Sequence, residues 1–346
     1  MRALLYAQFK SLPYVDDVPD PTPPPDGVVV RVRATGLCRS DWHGWQGHDS
    51  DIQTLPHVPG HELAGEIAAV GRDVRGWRVG ERVTTPFVLA CGDCPECRRG
   101  DQQVCAHQWQ PGFHGWGSFA EYVALPQAAA NLVRLPDALD YEEAAVLGCR
   151  FATSFRGVAV QGRVRAGEWV VVYGCGGVGL SAVMIATELG GHVIGVDLDP
   201  TRLALARQLG AVHVLNAGAV GDVPAAVKAL TAGGAHVSVD ALGSARTCRD
   251  AILSLRRRGR HVQIGLLAGD QRDPALPMGA VIAHELEVLG SHGMAAHAYP
   301  EMLGLIVNGR LPVAHLIGDR IDLEAAGPAL AAMGSFPGAG VTIIKP

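Results

Sequence analysis

The chain contains 346 residues, of which 48% are hydrophobic and 18% are charged, and its formal net charge is −5. This composition excludes a disordered protein and is typical of a globular one. Because a chain of this length exceeds what one hydrophobic core usually serves, we expect two domains.

The charge and hydropathy also limit the partners. The 29 basic residues are outnumbered by 34 acidic ones, so we expect no nucleic acid partner. We interpret the basic run Arg256, Arg257 and Arg258 as the solvated end of a helix.

The opening segment MRALLYAQFK has too short an apolar stretch for a secretory signal, and no run approaches the roughly 20 apolar residues of a membrane span. We therefore expect a cytoplasmic protein with no membrane partner.

The first 150 residues read mainly as strands separated by turn-rich loops. The clearest strand patterns are VVVRVRATG at 28–36, ELAGEIAAVG at 62–71 and FAEYVAL at 119–125. Their composition predicts a β-rich domain with long loops.

From about residue 151 apolar strands alternate with helical segments. WVVVYG precedes GVGLSAVMIATELG, HVIGVD precedes PTRLALARQLG, VHVL precedes DVPAAVKALTA, and HVSVD precedes SARTCRDAILSLRRRG. Such alternation predicts an α/β domain with a doubly wound parallel sheet covered on both faces. Two further helical stretches, near 298–309 and 322–333, and a strand-like GVTIIK end the chain.

Half of the eight cysteines lie in one short segment, CGDCPECRRGDQQVC. Thiolates with the spacing C-x2-C-x2-C-x7-C can converge on one tetrahedral Zn²⁺. We predict that Cys91, Cys94, Cys97 and Cys105 bind a structural zinc, closed to substrate because all four positions are sulfur. The alternatives are buried or disulfide-bonded cysteines and an iron–sulfur cluster, which uses similar spacings.

A second set of residues can form an open metal site. Cys38 lies in GLCRSDWH, His61 and Glu62 lie in PGHELAG, and Cys149 lies in LGCR. Two thiolates and one imidazole leave a fourth position for water or a substrate oxygen, as a catalytic zinc requires. Taken singly, Cys149 could be a core thiol, His61 a loop histidine and Glu62 a surface carboxylate.

The segment GCGGVG, residues 174–179, follows an apolar strand and opens a helix. Gly174, Gly176 and Gly179 permit a tight turn and a close approach of backbone to a pyrophosphate, which then lies at the helix N-terminus; Gly177 and Val178 complete the turn. This context predicts a dinucleotide site.

The next strand ends in Asp197. Its carboxylate can accept hydrogen bonds from the adenosine ribose hydroxyls and would repel a 2′-phosphate, which favours NAD over NADP. Arg202 follows one helical turn later and is either near the ribose or a surface cation.

Taken together, the motifs GLCRSDWH, VPGHELAGEIAAVG, the four-cysteine segment, FAEYV, LGCRFATSFRG and GCGGVGLSAVMIA occur in an order that resembles the zinc-dependent medium-chain alcohol dehydrogenases. The resemblance implies a GroES-like catalytic domain, residues 1–148 completed by 291–346, and a Rossmann NAD-binding domain, residues 149–290. It implies two zinc ions per chain, with Cys38, His61 and Cys149 at the catalytic one.

The resemblance also implies roles around that zinc. Glu62 would lie behind the metal and reach it as a ligand when the other ligands exchange, and Asp41 would orient the metal-bound histidine. Ser40 and His43 would form a proton relay that runs from the substrate oxygen through the cofactor ribose to solvent.

Cofactor contacts are implied for Arg39, at the pyrophosphate, and for Thr153, beside the nicotinamide. A cysteine at 149 favours the alcohol dehydrogenase branch over the polyol branch, where some members have a carboxylate. The chain lacks the long loop insertion of some dimeric relatives, so a homotetramer is favoured over a dimer.

The predicted reaction is hydride transfer between NAD and a small-molecule alcohol, primary or secondary, with the reverse reduction of an aldehyde or ketone. A polyol, amino-alcohol or formaldehyde-type dehydrogenase is the alternative. A zinc-stabilised nucleotide-binding protein without turnover is disfavoured, because the residues of the open metal site are all present.

Overall fold

The computed structural model describes residues 1–335 and 338–346, whose packing forms two compact units. One unit contains Met1–Ala152 together with most of the chain from Gly293 onward, including Val341–Pro346. The other contains Thr153–His292 and Gly338–Gly340. We call them the metal unit and the nucleotide unit, after the residues that each contributes below.

Most strands are short. In the described residues they are β1 (Arg2–Leu5), β2 (Tyr14–Asp17), β3 (Val28–Leu37), β4 (Leu63–Val70), β5 (Arg82–Thr84), β6 (Tyr122–Leu125), β7 (Val133–Arg134), β8 (Trp169–Tyr173), β9 (His192–Asp197), β10 (His213–Asn216), β11 (Ala235–Asp240), β12 (Leu255–Gln263), β13 (Glu287–Gly290), β14 (Ile317–Asp322) and β15 (Val341–Lys345).

The helices of the same residues are α1 (Arg39–Trp45), α2 (Pro95–Arg98), α3 (Ala128–Asn131), α4 (Tyr141–Ala145), α5 (Ala152–Phe155), α6 (Gly177–Glu188), α7 (Pro200–Gln208), α8 (Val223–Leu230), α9 (Ala245–Leu253), α10 (Met278–His284), α11 (Tyr299–Val307) and α12 (Leu323–Ala332). None of them combines the length and the apolar character needed to cross a bilayer.

In the metal unit, a sheet has the strand order β14-β15-β3-β4-β5-β7, and β6 also pairs with β3. Val30 in β3 is the register partner of Ile67 in β4 and of Val123 in β6. All three side chains are at most 2% exposed, and burying each contributes about 1.5 to 3 kcal/mol. This core supports the carboxyl end of β3, where the metal-site residues begin.

In the nucleotide unit, parallel strands follow the order β10-β9-β8-β11-β12-β13. Val170, Val171 and Val172 of β8 are fully buried, because helices cover both faces of such a sheet. The order of the strands reverses between β8 and β11, and ligands of doubly wound sheets bind outside the carboxyl ends of the strands at such a point. The predicted α/β fold class, with a β-rich domain and a doubly wound domain, is confirmed.

One local prediction is wrong. Arg256, Arg257 and Arg258 do not end a helix: α9 stops at Leu253, and the three arginines lie in β12. They are exposed because the pairing of β12 with β11 shifts register after Ala235↔Leu255 and resumes at Val237↔Arg260. The three arginines lie between these two pairings, outside the regular ladder, where their side chains face solvent.

Candidate catalytic metal centre and dinucleotide turn

The first metal-site segment is the junction between β3 and α1. Cys38 is the residue immediately before α1, and its backbone N–H donates to Asp41 Oδ2 at 2.9 Å. An acceptor three residues into a helix satisfies an amide that would otherwise lack a partner. The same hydrogen bond draws Asp41, which is only 2% exposed, beneath Cys38.

Asp41 also fixes the orientation of His61. Its Oδ1 lies 2.8 Å from His61 Nδ1 and accepts from the backbone N–H of Gly60 at 3.1 Å. His61 is fully buried, and within the described chain its Nε2 makes no hydrogen bond. A buried nitrogen of this kind, opposite a carboxylate-bound Nδ1, matches the usual environment of a metal-ligating histidine.

Cys38, His61, Glu62 and Cys149 present ligand atoms that all lie within 4.8 Å of one another. Cys149 comes from a π-helical turn, Leu147–Phe151, a distortion frequent at functional sites. Two sulfurs and one imidazole fit zinc, and three such ligands leave a coordination position open. The donor set therefore fits the predicted catalytic zinc.

Glu62 has a partner that the sequence analysis missed. Arg150 donates to Glu62 Oε1 through its backbone N–H at 2.9 Å and its Nε at 3.0 Å, and its Nη2 forms an ion pair with Oε2. Its Nη1 donates to the carbonyl of Leu37 at 2.9 Å. Burial raises the pKa of Glu62, and the adjacent Arg150 opposes that shift.

Two aromatic rings lie near the imidazole of His61. The ring centroids of Phe87 and Phe113 are 6.2 and 5.3 Å from that of His61. Phe113 was not singled out from the sequence. Trp45 of α1 belongs to a hydrophobic core and donates from Nε1 to the carbonyl of Ser11 at 2.6 Å.

Three further residues predicted to act in catalysis or cofactor binding, Arg39, Ser40 and His43, lie on α1. Ser40 and His43 are half-buried, and His43 contacts His48. The Arg39 guanidinium stacks 3.9 Å from the centroid of the Trp42 ring and donates to the carbonyl of Met333.

The four-cysteine loop forms a separate cluster. Neighbouring sulfurs lie 3.4 Å apart for Cys94 and Cys97, 3.5 Å for Cys105 and Cys91, 3.7 Å for Cys94 and Cys105, and 3.9 Å for Cys91 and Cys97. These distances exclude disulfides, whose sulfurs are about 2.0 Å apart. Four sulfurs placed tetrahedrally about 2.3 Å from a zinc ion would be separated by about 3.8 Å. The cluster fits the predicted structural zinc.

In the nucleotide unit, the turn between β8 and α6 is formed by closely packed glycines. Gly174 has a φ of +87°, and a Cβ at Gly179 would lie 1.7 Å from the carbonyl oxygen of Gly174. A Cβ at Gly176, in contrast, would meet no described atom within 4 Å beyond its two chain neighbours. Gly177 and Val178 begin α6, and the carbonyl of Val178 accepts from Ser154 Oγ at 2.8 Å. The open side at Gly176 fits the approach of a pyrophosphate.

Asp197 ends β9 beside this turn. Its Oδ2 accepts from Cys175 N–H at 2.6 Å, and its Oδ1 accepts from Leu198 N–H at 2.7 Å.

The predicted cofactor residue Arg202 is not freely exposed, because only 13% of its side chain is accessible and its Nε donates to the carbonyl of Gly338 at 3.2 Å. Thr153 is buried, and no described residue hydrogen-bonds to its hydroxyl oxygen.

Comparisons with known proteins agree with this chemistry. Residues 24–137 match the family "Alcohol dehydrogenase GroES-like domain", and residues 177–308 match "Zinc-binding dehydrogenase". An alcohol dehydrogenase of Geobacillus stearothermophilus is 36% identical over 292 residues, 84% of each chain. The chain belongs to the zinc-dependent medium-chain alcohol dehydrogenases.

Two other members of this family extend the comparison. A solved NAD-dependent alcohol dehydrogenase is 31% identical, covers 100% of both chains and has a TM-score of 0.89. A sorbitol dehydrogenase of Halalkalibacterium halodurans is 33% identical over 324 residues, 91% of this chain and 92% of its own. The predicted family, the enzyme class and the cofactors NAD and zinc are thereby confirmed.

Proposed function

We propose that the protein oxidises primary or secondary alcohols to aldehydes or ketones with NAD, and catalyses the reverse reduction with NADH. One observation carries this proposal: His61 Nε2 is buried without a hydrogen bond beside Cys38 and Cys149, while Asp41 holds Nδ1. In a zinc dehydrogenase, the metal supplies Lewis acidity that lowers the pKa of the substrate hydroxyl, as it lowers that of bound water to about 7.

The chain's own residues prepare that chemistry. Asp41 accepts the Nδ1 proton of His61, which fixes the tautomer with a free electron pair on Nε2. The two sulfurs, Cys38 and Cys149, are assigned as thiolate ligands. Arg150 holds the Glu62 carboxylate by three contacts, so that Glu62 remains behind the other donors unless this pairing opens.

The remaining roles concern the proton and the hydride. Ser40 receives the hydroxyl proton and passes it towards His43, which carries it towards solvent. Gly176 and the start of α6 bind the pyrophosphate, Asp197 binds the adenosine ribose, and Arg202 supports that end of the cofactor. Arg39 contacts the pyrophosphate and Thr153 packs beside the nicotinamide, which accepts the hydride.

Phe87 and Phe113 favour apolar or aromatic alcohols, because their rings lie against His61. A polyol or amino-alcohol substrate is the second candidate, and the likeness to a sorbitol dehydrogenase supports it. The retained Cys149 favours the first.

The test is the initial rate of NADH formation from NAD with linear, branched, benzylic and polyol alcohols, using a zinc-chelated sample as the paired control. We expect turnover that chelation abolishes, fastest with apolar alcohols. Turnover of polyols alone would transfer the assignment to the second candidate, and no turnover in a zinc-loaded, folded preparation would contradict the proposal.

We also propose a cytoplasmic homotetramer. Sedimentation equilibrium of the zinc-loaded protein measures the mass directly, and a dimer mass would contradict the tetramer. Fractionation of the source cells tests the location.

A further inference from the structure

Helix α1 ends in a geometry that brings two histidines together. Gly47 has a φ of +76°, and its N–H donates to the carbonyl of Gly44 at 2.9 Å. The next residue, His48, donates its N–H to the carbonyl of His43 at 3.0 Å. This pair of hydrogen bonds around a left-handed glycine is the Schellman motif, which places the residue after the glycine against the helix residue five positions earlier.

The two imidazoles are in direct hydrogen-bond contact. His43 Nδ1 lies 3.1 Å from His48 Nδ1, and the ring centroids are 5.4 Å apart. At this distance one Nδ1 carries the proton and the other accepts it. The Trp42 ring packs edge-on against both imidazoles, at 5.0 Å from His43 and 5.9 Å from His48, and so limits their rotation.

The two histidines differ in their contact with water. His43 is half-buried, whereas His48 is exposed. Burial lowers the pKa of His43 to about 4, with Arg39 and His48 adding to the shift and Cys38 opposing it. A histidine in this environment does not retain a proton near neutral pH, so it transmits protons better than it stores them.

We propose that His48 is the outermost group of a proton relay, in which His43 passes a proton to His48 and His48 releases one to water. This inference rests on the proposed function, in which Ser40 and His43 carry the proton of the alcohol.

The proton balance is simple. A proton reaches His43 Nε2, the proton on His43 Nδ1 moves to His48 Nδ1, and His48 releases its Nε2 proton to water. One proton leaves the alcohol and one enters the solvent, with no change in electron count, because the hydride travels separately to NAD. The rings regain their starting tautomers by exchange with water, and carbonyl reduction moves the proton the opposite way.

The first experiment compares proton release with NADH formation in a single turnover. Zinc-loaded enzyme with NAD is mixed rapidly with an alcohol in weak buffer, and an indicator dye reports the proton. In H48Q we expect proton release to slow on the order of tenfold, and we expect added imidazole to restore it. The control is H315Q, which removes another exposed histidine of the metal unit and should behave as wild type.

Unchanged proton release in H48Q would overturn the proposal. So would a loss that imidazole does not restore, because a purely structural defect at the helix end is not repaired by a free base. If wild type forms no NADH, the proposed function fails, and the second experiment still decides whether the two rings share a proton.

The second experiment uses NMR of ¹⁵N-histidine-labelled enzyme and needs no turnover. Because His48 helps to lower the pKa of His43, H48Q should raise the midpoint at which His43 titrates, and H315Q should leave it in place. An unchanged midpoint in H48Q would show that the two imidazoles are not coupled and would overturn the relay.

Discussion

The two cysteine-containing sites are built in opposite ways. The four-cysteine loop takes all its ligands from one segment between Cys91 and Cys105, and its sulfurs contact mainly one another and nearby backbone amides. The Cys38, His61 and Cys149 site is assembled from three separate segments and is held by buried polar side chains, Asp41 and Arg150. We therefore expect metal binding to stabilise the four-cysteine loop, whereas the distributed site depends on the surrounding fold to bring its ligands together.

The largest effect is expected at the distributed site. Cys38→Ser should reduce kcat/KM at least a thousandfold, because the metal contributes several kcal/mol to the transition state. NADH fluorescence should show that the variant still binds cofactor, since the dinucleotide turn belongs to the other unit. Cys248→Ser, at a buried thiol of α9 outside both sites, is the control. Activity near wild type in Cys38→Ser would contradict the metal assignment.

At the loop, the expected loss is of stability. Cys97→Ser should lower the free energy of unfolding by about 5 kcal/mol, a fraction of the roughly 10 to 16 kcal/mol with which structural zinc folds small peptides. Denaturant unfolding and zinc content by mass spectrometry measure this, again against Cys248→Ser. Turnover per folded molecule that retains its catalytic zinc should remain within about twofold of wild type. Loss of turnover without loss of stability would reverse the roles of the two sites.

The Glu62–Arg150 pair tests whether the distributed site depends on its polar surroundings. Arg150→Met leaves a buried carboxylate without its partner and should cost about 3 to 4 kcal/mol in unfolding free energy. Adding Glu62→Gln should recover most of that loss. Arg163→Met, which breaks an ion pair that is about half exposed, should cost less than about 1 kcal/mol. Equal losses in the two arginine variants would show that the buried pair has no special role.

The smallest effect is expected from Asp41→Asn. Asp41 accepts from Cys38 N–H, Gly60 N–H and His61, and an amide has one acceptor oxygen in place of two. We expect zinc affinity at this site to fall about tenfold to a hundredfold, measured by competition with a chelator. Asp49→Asn is the matched control on the loop after α1. Unchanged affinity in Asp41→Asn would remove Asp41 from the site.

The difference between the two sites also explains what could be predicted from the sequence. The four cysteines and the GCGGVG turn each lie within one short segment. Their geometry depends mainly on residues that are close in sequence, so both could be predicted. Glu62 and Arg150 are 88 positions apart, and nothing in either segment indicates that the two side chains meet. The order of known motifs supplied Cys38, His61 and Cys149, but not Arg150 or the Phe113 ring.

Two other features differ in how far local sequence determines them. The pair His43 and His48 was readable in principle, because a glycine at 47 after a short helix predicts the turn that joins them. The helical reading of Arg256 to Arg258 was wrong, because exposed arginines are good helix formers in isolation. Pairing with β11, which depends on residues far along the chain, overrides that preference.

The strand β15 has a consequence for how the protein is made. Ile343 and Thr342 pair with Gly36 and Leu37 of β3, immediately before Cys38. Most of the nucleotide unit is one continuous segment, Thr153–His292. This segment can fold during translation, before β15 has been synthesised, because domains generally fold as units during synthesis. The sheet that supports Cys38 is complete only after β15 has been synthesised and has paired with β3. A chain interrupted before Val341 would therefore have an intact nucleotide turn and an unsupported metal pocket.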